Sequence, residues 1–173
     1  MEFVFETCYD QKGMTAMAKG LRKTLRKKKS RRSHIFGWIV VVLALLLSFN
    51  GGDAGFVLTF RTVVTWAVVA VMIAALLFED QMNGFFAGRR LLAGSERVVT
   101  TFREDGYRTE SAAGCTDWNY GTVQAVAETG NYFVFLLSKT HAQIYDKTHM
   151  TGGTAEEFRV FLAEKTGKPV ESV

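Results

Sequence analysis

Cysteine is scarce in this chain, with two residues among 173. Cys8 and Cys115 lie far apart and belong to no CxxC pair or other ligand-like spacing. A disulfide framework or a structural zinc site needs more cysteines at closer intervals. We therefore expect two free thiols in a reducing compartment, with a single bridge between them as the alternative.

An excess of positive over negative charge is found in only one segment. The net charge is +4, yet the sequence after residue 33 is mildly acidic, because the excess comes from a basic block between residues 19 and 32. A domain that binds nucleic acid normally spreads basic groups over a folded face and interleaves them with aromatic residues. This distribution favours a basic arm and argues against a nucleic-acid-binding body.

Residues that could carry catalysis are few. Cys115 with His141 or His149 would be the dyad of a cysteine hydrolase, but nothing in their spacing brings them together. The segment TGGTAEE, residues 151–157, lacks the Lys-Ser/Thr pair of a phosphate-binding loop and places two acids where phosphate would bind. We expect no enzyme activity, no cofactor and no metal site.

Two long runs lack charge altogether, at residues 35–49 and 62–78. As helices they would measure roughly 22 and 26 Å, against about 30 Å for the hydrocarbon core of a bilayer. Neither run shows the polar face of a soluble core helix, and no A-x-A cleavage site follows the first run, as one would in a signal peptide. We predict transmembrane helices at 34–50 and 62–78, joined by an external loop at 51–61.

The positions of lysine and arginine predict the orientation of these two spans. Lysine and arginine residues next to a membrane span favour the cytoplasmic side for that end of the span. The basic block precedes the first span, and Arg89, Arg90 and Arg97 follow the second, whereas the connector offers only Arg61. We expect a multi-pass protein of the cell membrane with both termini in the cytoplasm.

Small residues that would let the two helices approach closely are Ala44, Ser48, Ala70 and Ala74.

The basic block is also a candidate binding surface. Each lysine or arginine beside anionic lipid headgroups contributes about 1 kcal/mol to membrane binding. His34 follows the block at the predicted membrane boundary, where we expect an interfacial residue and where a pH sensor is the alternative. The residues assigned to topology and to headgroup binding are Arg22, Lys23, Arg26, Lys27, Lys28, Lys29, Arg31 and Arg32.

The segments beside the spans carry weaker patterns. EFVFETC, near the N-terminus, alternates as a strand does, and the stripe from Met14 to Leu25 predicts an amphipathic helix that becomes increasingly basic. Together they form a cytoplasmic N-terminal segment, residues 1–33. Residues 79–94 combine paired aromatics with arginines, which is typical of a linker at the membrane interface.

Residues 95–173 predict a β domain with a C-terminal helix. Asp105-Gly106 between alternating runs predicts a hairpin, and Thr154 with Glu157 predicts the capping box of the helix. Six short strands suit a small bent sheet plugged by that helix. The N-terminal strand could supply a seventh, which would insert the two spans into one domain. The strands after the first hairpin are expected at Trp118 and at 122–128, 132–137 and 141–146.

The order of these pieces resembles the YcxB-like family of small bacterial membrane proteins. The similarity is carried by EFVFET, TFREDGYRTES, the tryptophan of TDWNYGTVQAVAET, GNYFVFLLS and TAEEFRVFLAEKTG. It implies an α+β membrane protein with a two-helix transmembrane hairpin and a small cytoplasmic PH-like antiparallel β domain that ends in a helix. The family tends to have a Pro-Lys pair where this chain reads Asp146-Lys147. We expect Trp118, Tyr145 and Lys147 to pack the sheet or to contact a partner.

These patterns predict a non-enzymatic membrane protein that presents its PH-like domain at the cytoplasmic leaflet. There it would bind another protein in the membrane or the anionic headgroups of the bilayer. An accessory or regulatory subunit of a transporter, a membrane peptidase or a sensor is the alternative, and a cysteine hydrolase that uses Cys115 is a third. The spans contain no charge between their ends, so a proton or ion path through them lacks its usual residues.

Overall fold

The computed structural model describes residues 2–49 and 59–173. The chain divides into two compact units. One, which we call the β domain, contains residues 1–27 and 80–173, and the other, the hairpin, contains residues 28–79. The described helices are α1 (Gln11–Lys23), α2 (Lys27–Phe49), α3 (Phe60–Leu77), α4 (Glu79–Gly88) and α5 (Ala155–Thr166).

The β domain contains two sheets. The strands are β1 (Phe3–Cys8), β2 (Arg97–Phe102), β3 (Tyr107–Ser111), β4 (Gly114–Trp118), β5 (Ala125–Thr129), β6 (Tyr132–Leu136), β7 (Ala142–Asp146), β8 (Met150–Thr151) and β9 (Val170–Ser172). The first sheet has the order β4-β3-β2-β1-β8, and the second has the order β7-β6-β5-β9. All pairings are antiparallel except that of β5 with β9.

The N-terminal strand lies inside the first sheet. β1 pairs along its whole length with β2, and its other edge pairs with β8. It also approaches the second sheet, where the Asp146 backbone N–H donates to the Thr7 hydroxyl at 3.1 Å. The prediction of a seventh strand from the N-terminus is therefore confirmed, and the two ends of the chain build one domain.

An aromatic core fills the space between the sheets and α5. Phe5 is completely buried, and its ring contacts those of Phe102, Tyr145 and Phe158 at centroid distances of 5.6, 5.8 and 4.6 Å. The Phe5–Phe102 pair is edge-to-face and the other two are tilted. Aromatic contacts of this kind add to the free energy gained from burial. Alternation along β1 sends Phe3 and Phe5 into this core, as the sequence pattern predicted.

A second, smaller core lies under α1. Leu21 packs with Ala127, Val134 and Ile144 of the second sheet. Asp10 caps the start of α1 by accepting a hydrogen bond from the Gly13 backbone N–H at 2.7 Å. The amphipathic helix was predicted, but its break between α1 and α2 was not. The rest of the basic block, residues 27–32, forms the first turns of α2 and is continuous with the apolar part of that helix.

Most of the predicted elements from residue 95 onward are present. The turn at Glu104–Gly106 joins β2 to β3, the capping box of Thr154 and Glu157 is formed, and Gly167 ends α5 in a left-handed conformation. β5 begins at Ala125, later than predicted, because a 3-10 turn occupies Tyr120–Thr122. The very short β8 and β9 were not predicted.

The hairpin consists of α2 and α3, which run antiparallel. A β-carbon on residue 37 would lie 2.8 Å from a methyl of Leu76, and His34 contacts Glu79. Most of the less exposed residues alternate at spacings of three and four, as in a two-helix coiled coil. This spacing is kept by residues 34, 37, 41, 44 and 48 in α2 and 62, 65, 69, 72 and 76 in α3, whereas residues 30, 40, 45 and 73 are also less exposed and fall outside it.

The prediction of small residues at this helix contact is half right. Ala44 and Ser48 lie in the less exposed stripe of α2, but Ala70 and Ala74 are exposed on α3. Gly37 is the small residue that allows the closest approach found here. α3 begins at Phe60, and most of the predicted external loop, with Asn50, lies outside the described residues.

Candidate membrane and partner-binding surfaces

The outward faces of the hairpin are apolar and exposed. α2 and α3 are both long and apolar enough to cross a membrane. Leu47 and Val71 are exposed to 74% and 69%, which is unusual for apolar residues in water and ordinary in lipid. These helices are therefore candidate membrane spans, and their few buried residues serve only the contact between them.

A histidine–carboxylate pair joins the two helices at one end of the hairpin. His34 Nε2 and Glu79 Oε2 lie 2.5 Å apart, and each side chain is about one-third exposed. Because residue 34 precedes the apolar part of α2 and residue 79 follows that of α3, the pair marks the end at which the chain enters and leaves the hairpin. His34 was predicted at the membrane boundary, but its spacing from Glu79 in the sequence did not reveal that these two residues are partners.

The structure separates the basic block into two groups. Arg22 binds Asp80 through two hydrogen bonds of 2.6 Å, and Arg26 donates to the Lys139 backbone oxygen at 2.6 Å. These two side chains serve contacts within the β domain. The other assigned side chains are exposed, and they are Lys23, Lys27, Lys28, Lys29, Arg31 and Arg32.

α4 is held against α1 by a glycine contact. A β-carbon on Gly84 would lie 2.7 Å from the backbone nitrogen of Thr15, so only glycine allows this separation of the helices. Gln11 Nε2 also donates to the Gln81 backbone oxygen at 3.1 Å. With the Arg22–Asp80 pair, these contacts fix one face of α4. The sequence predicted a linker here and gave no sign of this contact.

Trp118 ends the exposed edge strand β4. Its ring is stacked on that of Tyr107, with centroids 6.2 Å apart. The indole Nε1 is buried and has no hydrogen-bond partner among the described residues. Trp118 is half-buried and packs against the aromatic core. This placement matches the packing role expected for it.

Tyr145 is a core residue. It is 2% exposed, and its hydroxyl donates to Gln143 Oε1 at 2.7 Å. Burial raises the pKa of Tyr145 well above its ordinary value. Tyr145 therefore packs in the core, and its predicted role in contacting a partner stays a prediction.

Lys147 belongs to an ion network centred on Glu128. Glu128 accepts hydrogen bonds from Arg159 at 2.6 and 2.9 Å and from Lys147 at 2.6 Å. The Arg159 guanidinium is the main cause that lowers the pKa of Glu128 to about 2, and Lys147 adds to it against the opposing effect of burial. The network ties β5 to α5 and to the turn after β7, so Lys147 has a structural role.

The cysteines and histidines have other neighbours. Both cysteines are free, as predicted, and both are exposed. Arg108 Nη2 donates to Cys115 Sγ at 3.4 Å. His141 Nδ1 lies 3.0 Å from the Thr140 hydroxyl, and His149 Nδ1 lies 3.4 Å from Asp146. Within residues 2–49 and 59–173, no group of three metal-binding side chains is arranged to hold an ion.

The fold is that of an α+β chain in which two long apolar helices interrupt a domain of antiparallel sheets with a C-terminal helix. No protein-family model, curated protein or solved structure matches the chain. Functional inference therefore depends on the surfaces described above.

Proposed function

We propose that the chain is a non-enzymatic integral membrane protein whose hairpin anchors the β domain at the cytoplasmic leaflet as a binding module. The observation that carries this proposal is the insertion of two exposed apolar helices between the two halves of one folded domain. Such a domain forms only if both halves are on the same side of the membrane. Two crossings satisfy that requirement.

The charge distribution supports a cytoplasmic position for the domain. Six exposed basic residues between Lys23 and Arg32 precede the apolar part of α2, and Arg89 and Arg90 follow α4. Basic residues near span ends favour the cytoplasmic side. Both termini are then cytoplasmic, in a multi-pass protein of the cell membrane.

The YcxB-like resemblance gives the domain a PH-like character in this proposal. Sheets closed by a C-terminal helix and the stacked position of Trp118 agree with it. A module of this type recognises a protein or lipid headgroups at the membrane. The described contact of Cys115 is with Arg108, and Glu128 is bound by Arg159 and Lys147.

Cysteine accessibility in intact cells tests the topology. In a Cys8→Ser/Cys115→Ser background, a cysteine at Asp53 is expected to react with a membrane-impermeant maleimide, whereas one at Lys139, which is exposed, is not. Permeabilised cells, in which both sites should react, provide the control. Labelling of position 139 alone from outside would contradict the proposed orientation.

A search for the partner tests the binding role. Photo-cross-linking from exposed positions of the β domain in the membrane, followed by mass spectrometry, is expected to recover a specific protein or a lipid adduct. Recovery of stoichiometric subunits of a transporter, a peptidase or a sensor would favour the accessory-subunit alternative.

A further inference from the structure

We propose that α4 is an in-plane membrane helix whose exposed stripe, formed by Met82, Phe85, Phe86 and Arg89 with Arg90 beside it, docks the β domain on anionic phospholipid headgroups. We call this set the α4 stripe. The proposal rests on the membrane anchoring proposed above and adds a lipid-binding surface to it.

The helix α4 has two opposite faces, each marked by a stripe of residues. Asp80, Gly84 and Gly88 follow one another at spacings of four and face α1, where Gly84 meets the backbone of Thr15. Met82, Phe85, Phe86 and Arg89 stand at i, i+3, i+4 and i+7, the spacing of a second helix face. Met82, Phe85 and Phe86 are exposed to 43%, 44% and 53%. The domain therefore presents an apolar helix face that nothing in the described chain covers.

The chain connection to α3 limits how far the α4 stripe can lie from the membrane. α4 begins at Glu79, directly after the end of α3 at Leu77. At 1.5 Å per residue, the helical path from Leu77 to Phe86 is about 14 Å. The headgroup region extends roughly 5–8 Å beyond the hydrocarbon core. The α4 stripe therefore reaches the interface when α4 runs along the membrane plane, because about 14 Å along the membrane normal would carry Phe86 past the headgroups.

The α4 stripe combines aromatic rings with positive charge. The Arg89 guanidinium lies 4.4 Å from the centroid of the Phe85 ring, and both Arg89 and Arg90 are exposed. Aromatic rings that carry a cation at their edge suit the boundary where acyl chains meet phosphates. The arginines are complementary to anionic headgroups, and the nearest acidic residues of α4 are engaged, since Asp80 binds Arg22 and Glu79 contacts His34. A lipid surface fits both parts of this combination, since the rings match the acyl-chain boundary and the two arginines match the phosphates.

Spin-label accessibility in the full chain tests the proposal. In the Cys8→Ser/Cys115→Ser background, nitroxides are attached to Phe86→Cys, to Val160→Cys and to Val68→Cys, and the chain is reconstituted in nanodiscs containing phosphatidylglycerol. Val160 is an exposed apolar residue of α5 and serves as the matched control, whereas Val68 is an exposed residue of α3 and reports insertion of the hairpin. Collision rates with oxygen, which enriches in lipid, and with a water-soluble nickel chelate are compared.

The expected result is an oxygen-to-nickel ratio at position 86 that is clearly above the ratio at 160 and below that at 68. A ratio at 86 equal to that at 160, with 68 still in lipid, overturns the docking surface and leaves the anchoring intact. Shielding of position 86 from both reagents indicates a protein cover and also overturns the proposal. If position 68 is reached by nickel, the proposed anchoring fails, and the docking surface fails with it.

The arginines give a second measurement. Arg89→Gln and Arg90→Gln are each expected to shift the ratio of docked to undocked label at position 86 by about fivefold in membranes with anionic lipid. The same variants should have little effect in purely zwitterionic membranes. Arg103→Gln, at an exposed arginine of the same domain, is the control. Equal effects in both membranes, or no effect in either, would contradict recognition of anionic headgroups.

Discussion

Glu128 joins three elements of the β domain through one carboxylate. It lies on β5 and binds Arg159 of α5 and Lys147 of the turn after β7, with its side chain 15% exposed. Glu128→Gln is expected to destabilise the folded domain by about 1–3 kcal/mol at neutral pH, because two charge-assisted hydrogen-bond partners lose their anion. Thermal unfolding of the detergent-solubilised chain measures the change. Glu156→Gln is the matched control, since Glu156 also pairs with Arg159 but is 76% exposed, and its loss should cost less than about 0.5 kcal/mol.

The same carboxylate predicts a pH dependence of stability. Its pKa falls from an ordinary value of 4.5 to about 2 in the folded chain. The unfolded chain therefore takes up a proton first as the pH falls, so the stabilisation is complete above about pH 4.5 and is lost between there and pH 2. Unfolding curves of the wild type and Glu128→Gln should approach each other over this interval. Curves that stay equally far apart at pH 2.5 and pH 7 would refute the assignment.

Sequence reasoning reached some of these residue roles and missed others. The alternation of β1 predicted that Phe3 and Phe5 point inward, because a strand with period two leaves only one choice. Lys147 directly follows the predicted strand 141–146, but its partner Glu128 is nineteen positions away on β5, and a charge pair formed by tertiary packing leaves no local pattern. Arg22 was assigned to lipid headgroups for the same reason, since the position of Asp80 depends on the packing of α4.

At the scale of elements, the contact between α1 and α4 depends on one glycine. Gly84→Ala is expected to separate the helices and to lower the stability of the domain by about 1–3 kcal/mol, because the added methyl would collide with backbone that has no rotamer to change. Gly88→Ala is the control, because its added methyl would lie 3.8 Å from a flexible methionine. Limited proteolysis between α3 and β2 should accelerate in the first variant alone. Equal protection of both variants would show that the contact is dispensable.

The strand β1 gives a second prediction at this scale. Removal of residues 2–9 is expected to abolish the protease resistance of the whole β domain, because it deletes a central strand and two fully buried phenylalanines, each worth about 3–5 kcal/mol. Removal of residues 170–173 takes only the three-residue edge strand β9 and should have a smaller effect. A domain that stays resistant without β1 would contradict the observed pairing.

Local patterns predicted the long elements and not the short ones. Alternation, an Asp-Gly turn and a capping box identified the strands from β2 to β7 and the helix α5. The two-residue β8 and three-residue β9 form only because distant partners are in place, and their sequences carry no period. The break after α1 falls at Thr24, within a run otherwise made of helix-favouring residues, so no local pattern predicted it.

At the scale of the molecule, the β domain should fold without the hairpin. The ion pair of Arg22 and Asp80, with atoms 2.6 Å apart, places residue 80 beside α1, five residues before the other of the two ends left by deleting residues 28–79. A Gly/Ser linker of about ten residues, which reaches roughly 16–19 Å, should join them and give a water-soluble domain that unfolds cooperatively. Circular dichroism during thermal unfolding measures this. A non-cooperative, aggregated product would show that the domain needs the hairpin to fold, contrary to the division into two units.

The position of β1 has a consequence for biosynthesis. β1 leaves the ribosome before the hairpin does, but its partner β2 follows only after the hairpin has been made. If the hairpin enters the membrane as proposed, an odd number of crossings puts the two strands on opposite sides, and the sheet cannot close. Phe3 and Phe5 then stay uncovered, and cytoplasmic proteases can recognise the unpaired strand. On the proposed topology, closure of the sheet would act as a checkpoint on insertion, because an odd number of crossings would keep β1 and β2 apart.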